Sequence, residues 1–333
     1  MLIQSRAYAR AGLVGNPSDG YFGKTISFII RDYHAEVTLY ETPELRIEPN
    51  ERDHSVFGSI EELVVNVRQF GYYGGIRLLK ACVKRFFEYC VKHGIDLHGR
   101  NFTLRYGSNI PPQVGMAGSS AIITACWRAL MEFYQVEIPK HIVPSLVLSV
   151  ENEELGIPAG LQDRVIQTYE GVVFMDFNRA SVERLGHGIY EEIDPKLLPS
   201  VYVAFTTQLS EGTEVFHNDI RGRWNRGERD VVSAMYQWAN LAHRVRDMLI
   251  EGRGREIGPL LNENFDLRRR LYKISPGNVQ MVETAREIGA SAKFTGSGGA
   301  IVGTYEDEAM FERLKAALEP MKVAVIKPQI LPI

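Results

Sequence analysis

The chain has 333 residues, 45% of them hydrophobic and 24% charged, the mixture of a globular protein long enough for a large buried core and, as a prior, for two domains. Lys and Arg total 38 against 41 Asp and Glu, a formal net charge of -3, which argues against a general nucleic-acid coat. No run approaches the ~18 apolar residues of a membrane span, and Arg6 and Arg10 interrupt the first apolar stretch, so neither an anchor nor a signal peptide is read. Three cysteines, Cys82, Cys90 and Cys126, form no CxxC pair and sit among apolar helical positions, as core thiols of a cytoplasmic protein do. The histidines form no HExxH pair, and no Gly-x-Ser-x-Gly elbow is present, which weakens metal-site and hydrolase readings.

In chain order, Thr25 to Ile30 is rich in β-branched and apolar residues, and Val37, Leu39, Leu45 and Ile47 alternate around Pro43, a hairpin pattern. Leu78, Leu79, Cys82, Val83, Phe86 and Cys90 recur at helical spacing, with Gly94 as a stop. Phe102, Leu104 and Tyr106 alternate as a strand. A turn-rich stretch, Gly107 to Gly118, then opens a helix from Ser119 to about Tyr134. Another helix is expected over Ile142 to Leu155, with Pro144 tolerated in its first turn. Val172 to Asp176 reads as a buried strand, and Pro195 to Pro199 as a linker. After a strand at Val201 to Phe205, residues 211–272 are largely helical and arginine-rich. The remainder reads helix, strand (Ser291 to Thr295), glycine turn, strand (Ala300 to Tyr305), helix (Glu306 to Leu318), strand (Val323 to Ile326). These elements place a domain boundary near 185–200, giving domains at 1–190 and 191–333.

Three glycine-bearing loops carry the chemistry. Pro111-Pro112-Gln113-Val114-Gly115-Met116-Ala117-Gly118-Ser119-Ser120-Ala121 runs straight into an amphipathic helix. Glycines admit close backbone approach, and a helix start offers unpaired N–H groups and a positive dipole end to an anion. One serine hydroxyl there suits a phosphate oxygen and one a hard cation such as Mg²⁺; an ordinary serine cap is the plainer alternative. Gly156-Ile157-Pro158-Ala159-Gly160-Leu161-Gln162-Asp163-Arg164 is the second loop, following a helix with Glu151, Glu153 and Glu154. Glu151 and Asp163 suit a cation and a reacting hydroxyl, whereas Glu153 and Glu154 read as a solvated helix end. Thr295-Gly296-Ser297-Gly298-Gly299 is the third; its glycines exceed what a hairpin needs and point to a ligand or another backbone held close. Ser18 to Thr25 misses the Walker A pattern by its first glycine, and a strand pattern follows where a P-loop needs a helix.

In order, these segments resemble the GHMP kinases. Pro111 to Ala121 is similar to the family's second motif, with Met116-Ala117-Gly118 where many members have Gly-Leu-Gly. Lys293 to Ala300 is similar to the third, and Arg10 to Asp19 follows the first. Leu13 to Ser27, Gly71 to Gly75, Ala159 to Val165 and Asn264 to Arg270 resemble the plant-type glucuronokinase branch, which transfers phosphate from ATP, with Mg²⁺, to the anomeric hydroxyl of D-glucuronate.

The resemblance implies an α+β fold with an N-terminal ribosomal protein S5 domain 2-like domain and a C-terminal ferredoxin-like domain. It implies Asp163 as the catalytic aspartate, the general base that accepts the hydroxyl proton, and Arg10 as the basic residue that steadies the aspartate and the transferring phosphoryl group. Pro112, Gly115, Gly118, Ser119, Ser120, Gly296, Ser297 and Gly298 are expected around ATP. Ser120 and Glu151 are expected at Mg²⁺, and Asp19 at sugar hydroxyls, although Asn16-Pro17 replaces the Glu-His of the galactokinase branch. A sugar acid needs a cation for its carboxylate; the candidates are Arg164, Arg268 and Arg269, with Arg270 beside them. The partners expected are ATP and a small sugar acid, with no nucleic acid and no membrane. The alternatives are a kinase of a heptose phosphate, galactose or fucose, and a silent sensor of ATP and sugar.

Overall fold

The computed structural model describes residues 1–50, 53, 58–60, 65, 74–207 and 220–331. Gly71, Tyr72 and Tyr73 of the motif above, and the part of the arginine-rich stretch before Ile220, lie outside the described residues. The chain forms two compact units from interleaved segments: Met1–Ala9, Asp32–Pro112 and Ala117–Thr168 in the first, Arg10–Arg31, Gln113–Met116 and Tyr169–Ile333 in the second.

In the first unit, the later part of the Lys24–Thr42 strand pairs antiparallel with Asn101–Ser108, placing Val37 opposite Tyr106 and Leu39 opposite Leu104. The hairpin expected around Pro43 does not form. Lys24–Thr42 is one strand of 19 residues, and Arg46–Ile47 pairs parallel with Thr103 and Leu104 instead. Proline has no N–H to continue the ladder, so the strand stops before it. The helices Gly75–Lys92 and Gly118–Tyr134 pack through their apolar faces, Phe86 meeting Trp127 edge-on at 5.6 Å and Phe133 meeting Phe102 at 5.3 Å. All three cysteines are buried free thiols. The helix expected at Ile142 to Leu155 is present as Val143–Ser149, and its final turn, Val150–Glu154, widens to π geometry. Such turns recur at functional sites.

In the second unit, Lys24–Phe28 pairs antiparallel with Val172–Asp176, which pairs in turn with Ile189–Ile193. No helix follows Lys24, and its ammonium is paired with Asp176 at 2.5 Å, so a P-loop is excluded. A four-stranded antiparallel sheet takes the order Val323–Ile326, Val201–Thr206, Ala300–Thr304, Lys293–Phe294. The helices Pro276–Glu287 and Glu308–Leu318 cover it, and Tyr202, Phe265, Val282, Phe294, Ile301 and Leu314 fill the core between. This strand and helix order is the split βαβ arrangement of ferredoxin-like domains, as expected.

Candidate active site

The first unit carries an anion-ready helix start. Ala117, in the left-handed region at φ 65, turns the chain into the Gly118–Tyr134 helix. Its carbonyl accepts from Gln167 Nε2 at 2.9 Å and from Ser120 Oγ at 3.1 Å, which fixes the turn. Ser120 is fully buried and gives its hydroxyl proton there. Ser119 Oγ donates instead to Glu151 Oε1 at 2.9 Å. The hydroxyl brought to Glu151 is that of Ser119, while Ser120, expected with Glu151 at Mg²⁺, turns to Ala117, because neighbours on a helix point about 100° apart. Among the described residues a Cβ on Gly118 would meet only the Ile110 side chain, no closer than an ordinary 3.6 Å, so packing does not require glycine there. The first N–H groups of a helix have no intrahelical partner, and an anion satisfies them.

Glu151 sits on the π turn, 2% exposed, and its second oxygen accepts from Arg164 Nη2. Arg164, 4% exposed, also donates through Nη1 to Gly160 O at 2.9 Å and to Asp163 Oδ2 at 3.4 Å. Asp163 retains 20% exposure and lies in the first turn of the Leu161–Tyr169 helix, where a loop was expected. A carboxylate is favoured at that end by the helix dipole. Arg164 thus clasps two carboxylates.

The donor set suits magnesium. Mg²⁺ takes oxygen ligands only, keeps several waters and needs one or two carboxylates beside substrate phosphate. Ser119 Oγ and Glu151 Oε1 provide one hydroxyl and one carboxylate oxygen side by side. Among the described residues no group of three or more His, Cys, Asp or Glu could hold a metal without such help.

The second unit holds Gln113–Met116, just after the turn with Pro112, together with the third glycine loop. Arg10, 5% exposed, donates through Nη1 to Gly115 O at 2.6 Å and to Thr295 O at 3.1 Å. A Cβ on Gly296 would lie 2.5 Å from Gly115 O, and one on Gly115 would lie 3.0 Å from Ser297 N and Gly298 O. The glycines therefore serve the approach of one backbone to another: the third loop braces Gly115 of the first. Ser297 is exposed at its tip, and Gly298 is buried.

Arg268 is buried against this brace, donating to Gly296 O at 2.8 Å and Ser297 O at 3.4 Å, with its guanidinium 5.3 Å from the Phe294 ring centre. Burial holds its pKa below the ordinary arginine value. Arg269 faces outward and pairs with Glu283 at 2.6 Å. Sequence reasoning gave Lys293 no role. It is 1% exposed, donates to Asn16 Oδ1 at 2.5 Å and to Gly12 O, and is pushed well below the ordinary lysine pKa by burial and then by the charges of Arg268 and Arg10. Asn264 completes the hold, accepting from Gly15 N at 2.7 Å and donating to Asn16 O at 3.1 Å. Asp19 follows, half-buried, in the short turn Ser18–Tyr21. The sequence signal for this hold was present in the Asn264 motif, but its partner lies 249 residues earlier at Gly15.

The chain matches the N-terminal domain of the GHMP kinases over residues 77–171 and their C-terminal domain over residues 245–322. It is 42% identical over 336 residues to Glucuronokinase 1 of Arabidopsis thaliana, covering 97% of this chain and 92% of that protein. It is 44% identical over 308 residues to Probable glucuronokinase 2 of the same plant, covering 90% and 84%. The crystal structure of Lactococcus lactis galactokinase complexed with galactose superposes with a TM-score of 0.75 at 14% identity, over 99% of this chain and 93% of that one, a likeness of fold. The domain matches, the full-length relatives and the two-unit α+β fold agree: the chain belongs to the GHMP kinase family.

Proposed function

We propose that this chain is an ATP-dependent sugar 1-kinase whose acceptor is D-glucuronate, yielding D-glucuronate 1-phosphate and ADP. The observation that carries the reading is the Ser119–Glu151–Arg164–Asp163 chain, which sets a partly exposed carboxylate beside a cation-ready oxygen pair and a helix start. The likeness to the plant glucuronokinases supports the choice of acceptor.

The anomeric oxygen attacks the γ-phosphorus while the bond from that phosphorus to the β–γ bridging oxygen breaks. ADP leaves, and the hydroxyl proton passes to Asp163. Phosphoryl transfer asks mainly for positioning and charge stabilisation. Arg164 orients Asp163, and the Gly118–Ser119 helix start receives phosphate oxygens. Arg10 and Arg268 hold the glycine loops in shape, and Asp19 accepts sugar hydroxyls. Magnesium belongs to the proposal: Ser119 and Glu151 would hold it, and once bound it would neutralise phosphate charge. The buried free thiols support a cytoplasmic setting, and among the described residues no helix is long and apolar enough to cross a membrane.

ADP release from MgATP over glucuronate, galacturonate, glucose, galactose, fucose and a heptose phosphate tests the reading. Glucuronate is expected to give the highest kcat/KM. Preference for a neutral sugar would transfer the assignment to that sugar, and binding of ATP and sugar without ADP release would make the chain a sensor.

A further inference from the structure

A sugar acid differs from its parent sugar by one carboxylate; three of the four arginines expected near it have other partners, and Arg270 is exposed in the last turn of the Gly258–Leu271 helix. Arg164 is committed to Glu151, Gly160 and Asp163, Arg268 to the carbonyls of Gly296 and Ser297, and Arg269 to Glu283. The second unit holds another arginine with a different environment. Arg221 is exposed, and its guanidinium lies 4.2 Å from the centre of the Tyr21 ring. That ring is steadied in turn by Trp224, edge-on at 5.3 Å. A Cβ on Gly20 would come within 3.2 Å of Arg221 Nη2, so the fork rests against the backbone between Asp19 and Tyr21. Among the described residues Arg221 makes no hydrogen bond or ion pair. Arg179, stacked comparably on Phe22 at 4.4 Å, has Glu183 at 3.9 Å as an anionic partner.

Stacking on an aromatic face orders a guanidinium while leaving its in-plane N–H donors free for a planar anion. Asp19 and Arg221 also act electrostatically on the same two phenols, Tyr21 and Tyr272, so an acceptor and a cation flank one patch. Glycine at position 20 keeps that patch open. We propose that Arg221, stacked on Tyr21 beside Asp19, meets the carboxylate of the sugar acid and sets the preference for it over a neutral sugar. This rests on the sugar-acid kinase reading above. Arg221 is then a specificity-determining residue, engaged in the ground state and the transition state alike. Its loss raises KM for the acid and leaves kcat nearly untouched.

The test compares wild type, Arg221→Met, Arg221→Lys and the control Arg179→Met with glucuronate and glucose as acceptors, and measures glucuronate binding without nucleotide by calorimetry. Arg221→Met is expected to raise KM and Kd for glucuronate about tenfold to a hundredfold, the loss of a charge-assisted contact. Its kcat, its KM for ATP and its kcat/KM for glucose stay within about twofold by the same argument. Arg221→Lys falls between, and Arg179→Met matches wild type. If wild type prefers glucuronate and Arg221→Met preserves that preference, the assignment of Arg221 is wrong and the kinase reading stands. If wild type shows no preference for glucuronate over glucose, both are wrong.

Discussion

In the first compact unit a buried arginine, Arg164, lies between two carboxylates, Glu151 and Asp163, whereas in the second the buried Arg268 and Lys293 give their hydrogen bonds to neutral oxygens of Gly296, Ser297, Gly12 and Asn16. In the first cluster the cation is paired where it stands, one guanidinium between two carboxylates, so the cluster acts as a rigid clasp. In the second the cations lack a carboxylate among these hydrogen-bond partners, at a desolvation cost that pushes both pKa values down. The two arrangements therefore predict different failures when a partner is removed.

The largest effect belongs to the group the clasp presents. Asp163→Asn is expected to lower kcat by about 10²–10⁴-fold. Its Tm should hold, since the amide still accepts from Arg164. A kcat within threefold of wild type would remove Asp163 from the proton-accepting role. Arg164→Met comes next. It strands Glu151, 2% exposed, without its cation, and breaking a buried pair from one side costs about 3–5 kcal/mol. Urea unfolding should show that loss, with the glucuronate-to-glucose ratio unchanged in whatever activity survives. A selective loss on glucuronate would return Arg164 to the substrate.

Two glycines separate bracing from binding. Gly296→Ala forces a Cβ to 2.5 Å from Gly115 O, so it should destabilise by about 1–3 kcal/mol, as overpacking does. Gly118→Ala meets nothing closer than 3.6 Å, so the fold should be kept while KM for ATP rises. Equal Tm values for the two variants would contradict the brace. An unchanged KM for ATP in Gly118→Ala would contradict phosphate binding at that helix start.

The smallest effect is a pH dependence in the second cluster. Lys293 in the folded protein titrates well below the ordinary lysine value of 10.5, so the unfolded chain binds this proton more tightly. Between the folded value and 10.5 the unfolded state carries more protons, and stability from this group rises with pH. Wild type should therefore gain stability relative to Lys293→Met as the pH is raised from neutral toward that upper limit. Parallel stability curves for the two proteins would show that burial does not perturb this lysine.

Local pattern made much of the frame legible. The apolar spacing around Phe86 and the loop before Ser119 announced their helices, and the last strands and helix lie where alternation and spacing placed them. Features set by distant pairing were not legible. Nothing near Pro43 signals that Arg46–Ile47 pairs with Thr103 and Leu104 rather than folding back. Neighbours in sequence misled at the site as well. Arg164, next to Asp163, reads as a substrate contact, and nothing local signals its ion pair with Glu151, 13 residues earlier. Ser119 and Ser120 are chemically equivalent in sequence, and only helix geometry sends one to Glu151 and the other into the turn. Arg221 had no local signal, because Tyr21 lies far earlier in the chain.

Phosphoryl transfer to the anomeric oxygen of a sugar acid can be read from the product itself. Wild-type protein is incubated with MgATP and D-glucuronate, and the product is examined by phosphorus NMR with proton coupling. One new phosphorus resonance is expected, coupled to the anomeric proton and formed in step with ADP. A phosphorus coupled to any other sugar proton, or ADP appearing with inorganic phosphate alone, would contradict it.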